Sequence, residues 1–191
     1  MKYLPIATTL LCLLLALSGY SQTENTGTDP SSRSFADRKN EIKLGAVKLI
    51  AGPILDLEYE RALNSSSSLG ANVVANLSED EFLYDFAFTP YFRMYFTESR
   101  EYGTRGFFAQ AFMGYSSGTD YDYDYDPNSG IYEELEQNWN SLGAGLGVGT
   151  KWVNRHGFVF QLVFGLGRNF IVNDYAPEIF LQGDAYIGYR F

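Results

Sequence analysis

The stretch that decides the fold spans residues 142–152 and reads LGAGLGVGTKW. Apolar residues or threonine occupy every second position from Leu142 to Trp152, and the positions between them hold four glycines and Lys151. A period of two is typical of a β-strand, whose successive side chains point to opposite faces of the sheet. One face of this strand is therefore largely apolar, and the other is nearly free of side chains, which leaves room for bulky residues opposite it.

The same period recurs along most of the chain. Eight runs, with this one, are Glu41–Ile50, Ile54–Ala62, Leu69–Leu77, Asp85–Phe96, Phe107–Tyr115, Leu142–Trp152, Phe158–Gly167 and Ile179–Phe191. The first run loses its alternation after Ala46, where Lys48 breaks the pattern, and this predicts a β-bulge or a change of register. Eight alternating runs separated by turn residues predict an all-β protein, an eight-stranded antiparallel up-and-down barrel.

Strand and loop lengths favour a transmembrane barrel over a soluble barrel that binds an apolar ligand inside. Most runs reach about 10 residues, as a tilted membrane-spanning strand requires, whereas strands of soluble proteins centre on about five or six. The connections at residues 63–68, 97–104 and 153–157 have the short lengths typical of periplasmic turns. The two longest connections, residues 118–138 and 169–177, both belong to the opposite end, where outer loops are expected.

The N-terminal segment predicts export. Residues 1–22 carry a basic residue, Lys2, near their start, continue with an apolar stretch and end in small and polar residues, which is the order of a secretory signal peptide. Residues 23–40 are polar and rich in turn formers, and they predict a flexible periplasmic segment. We therefore expect cleavage of the signal peptide, followed by this segment and an outer-membrane barrel over residues 41–191.

Several short motifs carry a resemblance to known proteins. They are Ser21-Gln22, Ile42-Lys43-Leu44, Leu57-Glu58-Tyr59-Glu60-Arg61-Ala62-Leu63, Phe88-Thr89-Pro90-Tyr91-Phe92-Arg93-Met94-Tyr95-Phe96 and Tyr189-Arg190-Phe191. Together they resemble a family of small eight-stranded outer-membrane β-barrels of Bacteroidota whose function is unassigned. The resemblance covers residues 41–191. It implies eight strands and an outer-membrane location, and it supplies no catalytic residues.

The end of the chain resembles the C-terminal signal that the barrel assembly machinery reads. Large apolar or aromatic residues stand there at alternate positions, namely Ile187, Tyr189 and Phe191. The resemblance implies that the assembly machinery is a partner during biogenesis and that outer-membrane lipid surrounds the folded barrel.

Polar residues on the faces opposite the apolar ones form the predicted interior of the barrel. They are Asp56, Glu58, Glu60, Asp85, Arg93, Gln110, Lys151, Gln161, Asp184 and Arg190. These side chains either line a transport path or pair with one another inside a filled barrel. We favour pairing, because the interior of an eight-stranded barrel is only wide enough for its own side chains.

Residues 118–138 hold seven acidic and no basic residues, among them an alternation of Asp and Tyr from Asp120 to Asp126. Four of them have the spacing of positions 1, 3, 5 and 12 of a calcium-binding loop, namely Asp122, Asp124, Asp126 and Glu133. However, Pro127 stands where that loop requires glycine. We therefore favour a solvated strand extension over a Ca²⁺ site, and its tyrosines suit contact with an extracellular partner.

Composition disfavours several other functions. The net charge of −9 argues against nucleic acid as a partner, because phosphate binding needs clustered Lys and Arg. The single cysteine, Cys12, lies in the predicted signal peptide, and the single histidine, His156, lies in a predicted turn. We expect a non-enzymatic barrel without a cofactor, with a structural or surface-interaction role through its acidic outer loop. The alternatives are an outer-membrane enzyme acting on lipid A or phospholipid, and a soluble barrel that binds an apolar ligand.

Overall fold

The computed structural model describes residues 38–77, 84–96, 104–126, 131–172 and 176–191. Within these ranges, the side chains of residues 121–126, 131–136 and 171–172 are not described. The predicted signal peptide and most of the predicted periplasmic segment lie outside the described residues.

Eight strands and one short helix make up the described chain. The strands are β1 Asn40–Gly45, β2 Ile54–Ala62, β3 Ser67–Asn76, β4 Phe86–Tyr95, β5 Gly106–Asp126, β6 Ile131–Val153, β7 Phe158–Val172 and β8 Ile179–Arg190, and the helix is α1 Ala46–Ala51. Each strand pairs antiparallel with the next, and β1 pairs with β8, which closes the barrel. The predicted eight-stranded up-and-down barrel is confirmed. In the described part of the chain, no helix has the length and hydropathy needed to cross a membrane.

The two ends of the barrel differ in what they contain. Asn40 at the start of β1 and Arg190 at the end of β8 lie at the same end, which we call the terminal end. The opposite end, where β1 leads into α1 and β2 begins, is called the distal end.

The bulge predicted in the first run is not found, because β1 stops at Gly45 and α1 follows it. The carboxylate of Asp184 on β8 accepts hydrogen bonds from the backbone N–H groups of Val47 (2.9 Å) and Lys48 (3.3 Å). The ammonium group of Lys48 binds the carboxylate of Asp56 on β2. Lys48 breaks the alternation because a turn of helix, rather than an irregular strand, carries it to this partner.

β5 and β6 are 21 and 23 residues long, so most of the predicted loop 118–138 is strand. Their register continues without a break from Gly118 opposite Trp139 to Asp126 opposite Ile131. We call this two-stranded extension, residues 118–126 with 131–139, the distal ribbon. The preference for a strand extension agrees with the backbone, since the alternation of Asp and Tyr is itself a strand pattern.

The distribution of polarity is the reverse of that in a soluble protein. Among the described residues, 30 large apolar side chains are exposed, while 18 polar or charged residues are buried. β4 alternates strictly, with Phe88 and Phe92 exposed and Thr89 and Arg93 buried. The apolar face of each strand therefore points out of the barrel, and the polar face points in.

The inward glycines of β6 make room for large residues of β5. Gly145 pairs with Phe112 and Gly149 pairs with Phe108 across the two strands. A Cβ atom at either glycine would lie 2.4 Å from the Cζ atom of its partner ring. Because such a distance is too short for two carbon atoms, glycine at these positions is a packing requirement of the interior.

Candidate functional site

A cluster of seven charged side chains occupies the interior nearest the terminal end. Its members are Glu41, Lys43, Glu58, Glu60, Arg93, Lys151 and Arg190, and each is at most 2% exposed. They come from β1, β2, β4, β6 and β8, so the inward faces of five strands meet here. We call this set the charged cluster.

Lys43 and Arg93 hold the carboxylates of β2 from two sides. The Lys43 ammonium donates to Glu58 (2.6 Å), to Glu60 and to the side-chain oxygen of Gln161 (2.9 Å). The Arg93 guanidinium donates to both oxygens of Glu58 (2.8 and 2.9 Å) and to Glu60 (2.7 Å). Glu58 and Glu60 therefore share two cations, which offsets part of the cost of burying them.

Glu41, Lys151 and Arg190 complete the cluster nearest the terminal opening. Lys151 donates to both oxygens of Glu41 (3.1 and 3.0 Å) and to Glu60 (2.9 Å). Arg190 also binds Glu41, and it donates to the backbone oxygen of Thr104 (2.7 Å). These contacts join the first strand, the last strand and β6 across the barrel.

A second polar group lies toward the distal end. Asp56 is completely buried and binds Lys48, the amide of Asn72 and the hydroxyl of Tyr186 (3.1 Å). The Asn72 amide also donates to the Tyr186 oxygen (3.2 Å). This arrangement links β2, β3 and β8 on the distal side of the charged cluster.

Aromatic packing fills the interior beyond these polar groups. The rings of Tyr84 and Phe180 stack with their centroids 5.4 Å apart, and Phe180 also contacts Phe112 at 5.7 Å. Trp139, which is 6% exposed, packs edge-on against Tyr84 at 6.2 Å. An ionic layer thus occupies the interior nearest the terminal end, and an apolar layer of aromatic rings lies toward the distal end, in addition to the polar group around Asp56.

The charged cluster is densely paired. It contains three carboxylates and four cations, and each carboxylate lies within salt-bridge distance of two or more cations. Arg93 is further enclosed by the rings of Tyr91 and Phe108, whose centroids lie 3.9 and 4.5 Å from its Cζ atom. Such a network can hold strands together and fill the barrel cross-section.

Most of the polar residues predicted to lie inside are brought together there. Eight of them are buried, namely Asp56, Glu58, Glu60, Arg93, Gln110, Lys151, Gln161 and Arg190. Asp184 is half-buried beside α1. Asp85 is a correction: it precedes β4, is exposed and accepts a hydrogen bond from the Thr119 hydroxyl (3.0 Å).

Two cluster members were not among the predicted residues. Glu41 and Lys43 lie on β1, in the run whose alternation fails after Ala46. Glu41, Lys43 and Gly45 do alternate with Ile42 and Leu44, so the signal was present in the first half of that run.

The predicted calcium ligands lie in the distal ribbon, where the side chains are outside the described set. The backbone places Asp122, Asp124 and Asp126 on β5 and Glu133 on β6, with Asp124 opposite Glu133. Among the side chains that the structure does describe, no group of three His, Cys, Asp or Glu residues could hold a metal ion. The Ca²⁺ site therefore stays an untested hypothesis, and the solvated strand extension stays the favoured interpretation.

The remaining predicted residues lie on the outer surface at the terminal end. Ile187, Tyr189 and Phe191 are 57%, 41% and 53% exposed. The backbone N–H of Phe191 donates to the oxygen of Asn40 (2.8 Å), which holds the end of the chain against β1. His156 is exposed in the turn between β6 and β7.

A cavity of about 720 Å³ borders the apolar layer. Its lining includes the inward residues Asn72, Val74, Ala87 and Gln182, and also the outward residue Leu162. The volume therefore includes space on both sides of the barrel wall.

Comparisons with known proteins give no relative. No protein-family profile, no curated protein and no solved structure matches the chain. The fold class is thus defined by the structure itself, as a closed eight-stranded β-barrel with a polar interior.

Proposed function

We propose that the protein is a non-enzymatic integral barrel of the outer membrane, with a structural or surface-interaction role carried by its distal ribbon. The observation that supports this most directly is the apolar exterior. Phe88 and Phe92 on β4 and Phe164 and Leu166 on β7 are all between 39% and 62% exposed. Exposing so much apolar surface to water is unfavourable, whereas a bilayer accepts it.

The charged interior argues against the soluble alternative. A soluble barrel that binds an apolar ligand requires an apolar lining, with its polar side chains facing solvent. Here the seven side chains of the charged cluster fill the terminal half of the interior. Burial of that many charges is consistent with a barrel whose apolar outer face contacts lipid, because the polar side chains then have only the interior to occupy.

The location is tested by fractionation and gel mobility. We expect the protein to fractionate with outer membranes and to migrate differently on a gel before and after boiling, as folded membrane barrels do. Recovery in the soluble periplasmic fraction without added detergent would contradict the proposal.

The charged cluster also predicts that the barrel does not conduct ions. Glu58, Glu60, Lys43 and Arg93 are joined across the interior by bonds of about 3 Å or less, so their side chains occupy the space that an ion would have to cross. Planar bilayers containing the folded protein should show no conductance above background, with a larger porin as the positive control. Steady single-channel openings would contradict this prediction.

The role of the distal ribbon is tested by removing it. Thr119 and Asn138 are register partners, so an Asn-Gly turn can replace residues 120–137 without changing the pairing below them. We expect this shortened protein to fold, since the deleted residues make no described contact with the charged cluster.

Complementation of a deletion strain under envelope stress then separates the two roles. A surface-interaction role predicts rescue by the full chain and no rescue by the shortened chain. Rescue by both would assign the function to the barrel itself.

A further inference from the structure

Cations are concentrated at the terminal end of the barrel, where five basic residues are exposed or partly exposed. They are Arg38, Lys39, Arg61, Arg105 and Arg155, and we call them the basic rim. Among the side chains that the structure describes, no exposed carboxylate lies at this end. Residues 37 and 97–103, which border the rim in sequence and lie outside the described residues, contain one basic and three acidic residues. All these residues together still carry a net positive charge.

The distal end has the opposite balance of charge. Asp85, Asp120 and Glu178 are exposed there, together with the exposed Arg168. By sequence, the distal ribbon holds seven acidic and no basic residues. The two ends of the barrel therefore attract partners of opposite charge, and an anionic partner suits the terminal end.

The cations of the basic rim directly continue the apolar outer face of the wall. The outward positions of β2 run from Leu57 through the exposed Tyr59 to Arg61, which lies about 7 Å beyond Tyr59 along the strand. On the other side of the barrel, Arg105 precedes the outward Phe107, which is 69% exposed, by two positions. The order apolar, aromatic, cationic is the order in which a membrane protein passes from hydrocarbon to lipid headgroups.

Four of these cations lie on neighbouring parts of the wall. The backbone N–H of the residue after Arg61 donates to the Lys39 oxygen (2.8 Å), which places Lys39 next to the end of β2. The Arg38 side chain reaches the turn between β6 and β7, since a Cβ atom at Gly157 would lie 3.3 Å from its Nη1 atom. Arg155 belongs to that same turn. Positive charge therefore extends along the rim from β2 to this turn.

The fifth cation, Arg105, lies beside exposed aromatic rings. It lines a small recess of the wall together with Trp152, which is 50% exposed. The Trp152 ring stacks on that of Phe160, with their centroids 5.5 Å apart. A guanidinium group can donate two hydrogen bonds to a phosphate, and exposed rings are favoured at the level of the headgroups. Arg105 and Trp152 therefore match a phosphate headgroup with apolar chains beside it.

We propose that the basic rim binds anionic phospholipid, such as phosphatidylglycerol, in the leaflet at the terminal end. The cations bind the headgroup phosphates, and the aromatic and apolar side chains next to them contact the acyl chains. This inference rests on the proposed membrane location. Each Lys or Arg near an anionic membrane surface contributes enough attraction to enrich the lipid about fivefold, so contact with a single cation is measurable.

Trp152 provides the test, because it lies beside Arg105 on the outer face. The chain has two tryptophans, so Trp139→Phe leaves Trp152 as the single reporter, in protein whose folding is verified by gel mobility. The protein is folded into phosphatidylcholine vesicles that contain a fixed fraction of either brominated phosphatidylglycerol or brominated phosphatidylcholine. Bromine quenches tryptophan emission on contact, so the two series compare the anionic lipid with the zwitterionic lipid at the same position.

We expect both lipids to quench Trp152, and the relative association constant of phosphatidylglycerol to be about five times that of phosphatidylcholine at low salt. This preference should fall toward one between about 0.05 M and about 0.5 M NaCl, because salt screens exposed charges. Equal quenching by the two lipids at low salt would overturn the inference and leave the membrane location intact. Absence of quenching by either lipid would overturn the membrane location, and the inference with it.

Two variants and a control assign the preference to the basic rim. Arg105→Gln removes the cation beside the reporter and should abolish most of the preference, whereas Arg105→Lys keeps the charge and should retain it. Arg168→Gln makes the same change of charge at the distal end and should have no effect. Equal losses in Arg105→Gln and Arg168→Gln would overturn the inference, because the net charge of the protein would then attract the lipid. The salt series needs no variant of the rim, so it decides the inference even where Arg105→Gln does not fold.

Discussion

Replacing Arg93 by methionine is the sharpest test of the charged cluster. The guanidinium group makes three hydrogen bonds of 2.7–2.9 Å to Glu58 and Glu60, and two more to Gln110 and Gln161. All of these residues are buried, so the lost contacts are not replaced by water. Removing one partner of a buried ion pair typically costs about 3–5 kcal/mol, and we expect Arg93→Met to lower the free energy of unfolding by that amount.

A second substitution shows whether charge balance carries this effect. The cluster contains three carboxylates and four cations. Arg93→Met and Glu58→Gln each change that balance by one charge, in opposite directions, whereas the double variant restores it. We therefore expect the double variant to be more stable than the sum of the two single losses predicts, by about 1–3 kcal/mol.

The assay is urea unfolding of protein folded in lipid vesicles, followed by gel mobility without boiling. Asp85→Asn serves as the control, because Asp85 is exposed and its replacement should change the free energy of unfolding by no more than about 0.5 kcal/mol. The explanation fails if the two cluster substitutions are additive within about 0.5 kcal/mol, or if Arg93→Met is as mild as the control.

Three further predictions concern packing, metal binding and assembly. Gly114→Ala places a methyl group about where the Phe180 ring lies, since a Cβ atom at residue 114 would be 2.3 Å from the Phe180 Cζ atom. We expect the free energy of unfolding in urea to fall by about 1–3 kcal/mol, and we expect Phe180→Leu to recover part of that loss. Calorimetry with millimolar Ca²⁺ should give no heat, because Asp124 lies in an extended strand; a saturable signal abolished by Asp124→Asn would contradict this. Phe191→Ala should slow the appearance of heat-modifiable protein in cells, and an unchanged rate would remove Phe191 from the assembly signal.

Alternation in the sequence was sufficient to predict the barrel, because a strand whose outer face is apolar and whose inner face meets a packed polar interior must alternate at every position. β4 is the clearest case, since its buried and exposed residues follow the sequence pattern without exception. The ends of β5 and β6 were harder to predict. Asp and Tyr alternate there as regularly as the barrel strands do, but neither residue distinguishes a solvated strand from a loop.

The partners within the charged cluster could not be predicted from sequence. The alternation of positions along each strand, which we call parity, indicates which charged side chains face inward. It does so correctly for Glu58, Arg93 and Lys151. It does not indicate which of them meet across the barrel. Lys43 and Gln161, for instance, are 118 residues apart in sequence, and their contact depends on the tilt and register of strands on separate parts of the wall. Asp85 followed the same parity but lies beyond the end of its strand, where parity no longer determines direction.

The short first strand also has a consequence for the order of folding. β5 and β6 are adjacent in sequence and are separated by only four residues. The hydrogen bonds between them can therefore form early and without a large loop-closure cost. The seam between β1 and β8 joins residues that are far apart in sequence, at the two ends of the barrel domain. It has only five register pairs, beginning with Glu41 opposite Arg190. Pairing of β1 with β8 is therefore expected to be the final and slowest step of folding. The ion pair between Glu41 and Arg190 then stabilises the closed barrel once the two strands have met.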